Sequence, residues 1–427
     1  MTPACSWRLC FGAVLLLPAL AQSQAFSWQS GVQTHVQSNS NPGLQTAGAA
    51  TLVSRTVSAS LNTVRNNEVA MTQGDAELIL EPGDGDNRTT VLGRLSLRQR
   101  LSAPRETWVA SLAYRRDRTL DGTGPSSAST ATNPTSPTAS DAAVGRSDRR
   151  LGEVGLSWSH ALSERLSSEL GASHARTEYA AAAAGSNFSL SSASAGLSQT
   201  WRETTSLSAT LSRTDLRPLG SAAFTTKARI DSLRLSVNEV LSETGSAGVS
   251  VARSVTARDF ALTSLVCPLP VQFCQSGITR YVVATTPVRS RSHDMQYSAN
   301  ASLRWDETTA LATRLARALT PGALGVTRED VFSLSASRSF SETTQASLAF
   351  DLSRSLQASA GAGTTGGAAS TLRSLSVSAS HRLGEQLTLS TQLQSRHYQR
   401  PSPQVGAAAT VFSINLQYQG ATVPGWR

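Results

Sequence analysis

Between residues 295 and 305 apolar and polar side chains alternate without a break. Met295, Tyr297, Ala299, Ala301, Leu303 and Trp305 fall on one parity; Gln296, Ser298, Asn300, Ser302 and Arg304 fall on the other. The same period of two runs through 411–419, where Phe412, Ile414, Leu416 and Tyr418 interleave with Ser413, Asn415, Gln417 and Gln419. It returns at 232–238 and at 107–114, where Trp108, Ala110, Leu112 and Tyr114 share a face. Such a segment is a β-strand with one face in an apolar medium and the other in a polar one.

A soluble sandwich alternates too, so three further features decide. The alternating segments run about 10–13 residues, whereas globular strands average about 5–6 and membrane strands need about 9–11. Their polar face is Ser, Thr, Asn, Gln and Arg in strand after strand, as suits a wet lumen. The connections alternate between short and long. The short ones repeat: Trp201-Arg202-Glu203-Thr204-Thr205 returns as Trp305-Asp306-Glu307-Thr308-Thr309 and as Phe340-Ser341-Glu342-Thr343-Thr344. Looser copies begin at Leu162, Leu241 and Leu383. The unit of about 40 residues resembles a propeller blade in length but carries no Gly-His or Trp-Asp signature. It fits two long strands, a tight turn and a variable loop.

The long connections are expected at 119–149, 258–291, 320–329, 356–370 and 399–408, all rich in Ser, Thr, Pro or Gly. With short turns periplasmic and long loops outside, strands are expected near 28–38, 50–63, 68–80, 90–101, 107–118, 150–160, 166–178, 188–201, 206–215, 228–240, 246–257, 292–305, 308–319, 330–340, 345–355, 371–382, 386–398 and 409–419. The expected fold is thus an all-β, transmembrane antiparallel β-barrel of about 18 strands (16–20), with both termini on the periplasmic side. Arg55 stands out as a charge on the apolar parity of the second strand. Trp158, Trp201, Trp305 and Phe340 fall at the turn ends of their strands, where an inner aromatic girdle belongs.

Composition sharpens this picture. Of 427 residues only 16% are charged, against about 25% in ordinary soluble domains. The net charge is +9, and Lys227 is the only lysine. The arginines are spread thinly and not interleaved with aromatics, which argues against nucleic acid as a partner. No run of about 20 apolar residues exists for a spanning helix. Residues 1–25 read as a signal peptide, with Arg8, an apolar stretch over 9–17 and a cleavage site after Ala21 or Ala25; the barrel then occupies 26–427. Export carries away Cys5 and Cys10. The remaining pair, Cys267 and Cys274, is expected to form one local disulfide.

Catalytic signatures are missing. There is no Gly-x-Ser-x-Gly elbow, no His-Glu-x-x-His and no phosphate loop with its lysine; Gly361–Gly367 reads as a loop tip. The expectation is no enzyme, no metal and no cofactor. By parity Arg94, Arg98, Arg115, Arg234, Arg304 and Arg314 point into the lumen, with Asp117, Asp294 and Asp351. Arginine carries a fixed charge and a planar fork that matches carboxylate and phosphate, and rings of arginine select anions in pores. The alternative reading has Arg–Asp pairs bracing the lumen. Arg116, Arg213 and Arg354 sit at the outer ends of lipid-facing strands, within reach of lipopolysaccharide phosphates.

The chain resembles the outer-membrane barrels encoded with bacterial exopolysaccharide export, including those associated with PEP-CTERM systems. The residues that carry the resemblance are Arg115-x-Asp117-x-Thr119-Leu120 in the run from Tyr114, with Asp121-Gly122-Thr123-Gly124 behind it. With them go the hairpin from Leu95-Ser96-Leu97 to Trp108 and the recurrent Leu-Ser-Glu turns. The resemblance implies a role in polysaccharide secretion, with polysaccharide and export components as partners. The expected function is a channel-type barrel in the outer membrane of a Gram-negative cell; the alternative is a plugged structural or surface-binding barrel.

Overall fold

The computed structural model describes residues 25–42, 44, 51–81, 89–118, 148–180, 187–219, 227–268, 274–275, 282–322, 325–357, 369–401 and 404–424. The expected signal peptide up to residue 24, the stretch 119–147 and the Gly361–Gly367 tip lie outside the described residues.

Period-two alternation over a dozen residues gives long strands, and each pairs antiparallel with its neighbours in sequence. In chain order they are β1 (Ala25–Asn39), β2 (Leu52–Asn66), β3 (Ala70–Glu81), β4 (Thr90–Ser102), β5 (Glu106–Arg118), β6 (Asp148–Ala161), β7 (Leu166–Tyr179), β8 (Phe188–Thr200) and β9 (Thr205–Pro218). The second half comprises β10 (Lys227–Ser242), β11 (Gly245–Val266), β12 (Val282–Arg304), β13 (Thr309–Gly322), β14 (Gly325–Ser339), β15 (Thr344–Gln357), β16 (Ala369–Arg382), β17 (Leu387–Pro401) and β18 (Gln404–Gln419). β1 pairs on one side with β2 and on the other with β18, so the sheet closes on itself as an 18-stranded barrel. A two-residue strand, β19 (Val423–Pro424), continues the last strand along Ser27 and Trp28 of β1.

The barrel is inside out relative to a soluble protein. Leu211, Leu233, Leu235, Val249 and Val251 all lie 46–60% exposed on the outer parity. An exposed apolar patch of that extent marks a surface meant for an apolar medium. The inner parity explains the abundance of serine. Directly opposed hydroxyls satisfy each other across the ladder: Ser173 with Ser192 at 2.6 Å, Ser212 with Ser232 at 2.7 Å, Ser250 with Ser298 at 2.7 Å and Ser347 with Ser378 at 2.6 Å. Arg55 lies toward the loop end of its strand. It pairs with Val36, three residues from the loop end of the β1–β2 ladder at Asn39, and is exposed on the outer face between Val53 and Val57.

The short connections share one backbone geometry. The N–H groups of Leu162, Trp201, Trp305, Phe340 and Leu383 each donate to the carbonyl four residues on, at 2.8–2.9 Å. In three of these turns the next residue supplies a side-chain cap. Ser163 Oγ accepts from the N–H groups of Arg165 and Leu166, Ser341 Oγ from those of Thr343 and Thr344, and Asp306 Oδ1 from that of Thr308 at 2.8 Å. The six recurring glutamates are exposed. The copy at Leu241 differs: β10 runs through Ser242 with a register shift after Val240, and Glu243 and Thr244 alone make the turn.

Three expected loops are shorter than read. The region 320–329 is a tight hairpin, with Gly322 paired to Gly325. The region 399–408 is another, with Pro401 paired to Gln404. Much of 258–291 is ladder, because β11 and β12 stay paired out to Val266 and Val282. Beyond the apolar band both faces of a strand meet polar surroundings or folded-in caps. Period two therefore fades while backbone pairing continues.

Candidate functional site in the barrel lumen

The candidate site is the inner wall, built by one parity of every strand. Its charged sector spans β3 to β6. On β4, Arg94 Nε lies 2.8 Å from Glu77 Oε2 of β3. On β5, Asp117 receives Arg115 from its own strand and Arg149 from β6, the latter through Nε at 3.0 Å and Nη2 at 2.9 Å. At the loop end Arg118 binds Glu81, the hydroxyl of Thr90 at 3.0 Å and Asp148 at 2.8 Å, so one guanidinium joins β3, β4 and β6. The wall here is braced by fork-shaped pairs.

The remaining inward arginines differ. Arg98, Arg234, Arg304 and Arg314 are exposed in the lumen and form no ion pair among the described residues. The six arginines therefore split: Arg94 and Arg115 brace, while these four present free guanidinium groups to lumen water. Asp294 accepts a hydrogen bond from Ser292 Oγ at 3.2 Å. Asp351 stands opposite Ser374 of β16. Arg304 also lines a cavity of about 390 Å³ at the turn end, with Ser242, Glu243, Ser302 and Ser337.

A second sector, from β16 through β18 to β2, carries amides and hydroxyls where the first carries charges. His35, Gln37 and Asn39 of β1, Gln394 and Arg396 of β17, and Ser413 and Asn415 of β18 are all under 9% exposed. Arg396 is held by Gln394, whose Oε1 accepts from Nε at 3.0 Å and Nη2 at 2.7 Å. Sequence reasoning passed over this sector, because neutral inward residues look like lumen background. The signal that marks it is the uninterrupted inward series Gln33, His35, Gln37, Asn39.

The loop end of the lumen is narrowed by apolar contacts on the inner parity. Phe188, Leu216, Ala228 and Ile230 at the ends of β8, β9 and β10 form one buried cluster, and the tip of the β13–β14 hairpin reaches it through Val326. Across the mouth, Leu372, Tyr398, Ala407 and Ala409 hold Leu44, which follows β1 with a positive φ of 47°. Asn41 ties that segment down through Nδ2 to the Ala408 carbonyl at 3.2 Å.

The outer rim charges are mostly paired. Arg213 Nε meets Asp231 at 2.6 Å, and Arg116 comes within 3.9 Å of Asp148. Arg354 is exposed on the outer face of β15. Trp201, Trp305 and Phe340 lie in the turns, 60%, 74% and 65% exposed; Trp158 is within β6, its ring 5.9 Å from that of Trp108. A disulfide joins Cys267 to Cys274, with Cα atoms 6.0 Å apart. Among the described residues no group of three His, Cys, Asp or Glu side chains is placed to hold a metal ion.

No family model and no curated protein sequence matches the chain. Solved structures do. The Pseudomonas aeruginosa protein OccK2 (OpdF) in complex with glucuronate aligns with a TM-score of 0.50 at 11% identity, covering 92% of this chain and 98% of that one. OccK2 in a second structure gives 0.49 at 12% identity, covering 94% and 98%. Pseudomonas aeruginosa OpdK with vanillate gives 0.47 at 10% identity, covering 93% and 99%. The fold is that of a closed outer-membrane-type β-barrel.

Proposed function

We propose that the chain is an outer-membrane channel for hydrophilic solutes with a preference for anions. The observation that carries this reading is the set of four lumen arginines, Arg98, Arg234, Arg304 and Arg314, without ion partners among the described residues, in a barrel of 18 strands. A barrel of that size leaves room for water inside. Unpaired guanidinium groups raise the local concentration of anions and lower the barrier to their passage. Transport is passive, needs no cofactor and involves no covalent step. An acidic polysaccharide is the solute that the resemblance to export barrels implies. Glucuronate, the acidic sugar held in the OccK2 structure, is a suitable small probe.

The test is planar-bilayer recording of the refolded chain. Steady conductance that glucuronate interrupts supports the channel. Silence from a correctly folded, heat-modifiable barrel overturns it and favours a second reading, a plugged barrel. The apolar contacts that draw Leu44 and Val326 against the lumen-facing strand ends support that second reading.

A further inference from the structure

Where the barrel closes, two buried hydrogen-bond acceptors without partners face each other across the ladder. His35 of β1 and Asn415 of β18 are directly paired in register. They are 8% and 3% exposed. His35 Nε2 lies 3.3 Å from Gln37 Oε1. An amide oxygen can only accept, so Nε2 carries the ring proton and Nδ1 presents a lone pair. That Nδ1 meets no hydrogen-bond partner. Asn415 donates through Nδ2 to Ser390 Oγ at 3.2 Å, which leaves its Oδ1 as the free end, and that oxygen meets none either.

Unpaired acceptors buried side by side cost stability unless a donor reaches them. The donor class follows from the surroundings. Inward positions near the pair are neutral: Gln37, Ser413 and Gln417 with Thr56 and Ser58 of β2. With no carboxylate in the group and a chain at +9, a cation finds no counter-charge there. An anion brings no proton to two lone pairs. A hydroxyl does, and a sugar ring offers several hydroxyls at adjacent carbons, each able to give one hydrogen bond and take others from Gln37 or Ser413.

We propose that the wall around His35 and Asn415 is a binding subsite for carbohydrate hydroxyls, which donate to His35 Nδ1 and Asn415 Oδ1. This rests on the reading of the lumen as a solute path and names the solute's uncharged chemistry. The free arginines elsewhere on the lumen wall would meet any acidic group of the same molecule, while this wall grips the ring hydroxyls. Side chains such as Gln37 swing aside to admit the ring.

The test is calorimetric titration of the refolded full chain in detergent with maltotriose, a neutral sugar, and with glucuronate. Each sample is first checked for heat-modifiable migration. Binding of maltotriose that weakens about tenfold in His35→Phe and in Asn415→Leu, and is kept in His35→Gln, supports the subsite, because glutamine restores an acceptor. Failure of wild-type barrel to bind either sugar overturns it and leaves water as the donor. So does binding indifferent to both apolar substitutions. Titration in detergent needs no conduction. An anion-selective pore that binds no sugar therefore sinks this proposal alone, and a sugar-binding barrel that carries no current sinks the channel alone.

Discussion

Two neighbouring sectors of the lumen wall solve the same problem with different chemistry. From β3 to β6 the inward parity holds Glu77, Arg94, Arg115, Asp117 and Arg149, and these ions are braced against one another within β5 and across two ladders, β3–β4 and β5–β6. From β17 to β2 the same parity holds mainly Gln, Asn, His and Ser, with Arg396 among them, packed nearly out of contact with solvent. The first sector is wetter: the Arg94 side chain is 45% exposed, whereas Arg396 in the second is 2% exposed. Charge is tolerable where water reaches it or a partner neutralises it. A neutral wall can instead be covered, provided its amides find partners.

The largest expected effect comes from removing the free cations, of which Arg98 lies on β4 within the charged sector and Arg234, Arg304 and Arg314 lie beyond it on β10, β12 and β13. Replacing Arg98, Arg234, Arg304 and Arg314 together with Gln is expected to abolish most of the anion preference while leaving the barrel folded. The same exchange at Arg94 and Arg115, whose charge is already matched, should change selectivity far less. Reversal potentials measured on both variants check this, and equal losses would erase the distinction between free and bracing arginines.

Next in size is Asp117→Asn. It removes the carboxylate that Arg115 and Arg149 share at half-buried positions, and the expected cost is about 1–2 kcal/mol, discounted for screening in a wet lumen. Urea unfolding monitored by heat-modifiable migration measures it. A comparable effect is expected from Leu44→Ala, which removes an apolar side chain 6% exposed from the Leu372–Tyr398 cluster. Loss of that burial costs about 2 kcal/mol, with no offset from the backbone, because alanine bears the same strain as leucine at positive φ. The readout is functional as well: a loosened cap on the neutral wall should raise conductance, and an unchanged current would show that Leu44 does not restrict the path.

The smallest effect lies outside both walls, at Asp306. Its carboxyl is held below the ordinary carboxylate range first by hydrogen bonds from the Thr308 side chain and backbone, then by Thr309. A depressed folded pKa means that the turn is supported at neutral pH and loses this support as pH falls through the carboxylate range. Asp306→Asn should therefore flatten a slight acid sensitivity in Tm between neutral pH and about pH 3, with little change at low pH.

Much of this architecture is legible in the sequence, and the reasons are local. Strands such as β10 and β18 alternate because each position must choose between lipid and water, so Leu233, Leu235 and Val237 mark the outer face. The turns are legible because the capping residue and its Thr partners recur, although the recurrent glutamate that draws the eye touches nothing structural. The hairpin tips at Gly322–Gly325 and Pro401–Gln404 are not legible. There the ladder outruns the membrane band, and Pro and Gly at an exposed end suggest a loop. The inward arginines can be read from parity, but which of them are braced depends on partners such as Glu77 and Arg149 on neighbouring strands. His35 and Asn415 lie 380 residues apart, and only closure of the barrel makes them a pair.

The most direct measurement is the reversal potential of single channels in a tenfold potassium chloride gradient, taken on the wild-type barrel and on the variant with Gln at 98, 234, 304 and 314. The account predicts a potential of the sign set by chloride for the wild type and a value near zero for the variant. A wild-type potential of the opposite sign, or one that the four substitutions leave in place, would contradict it.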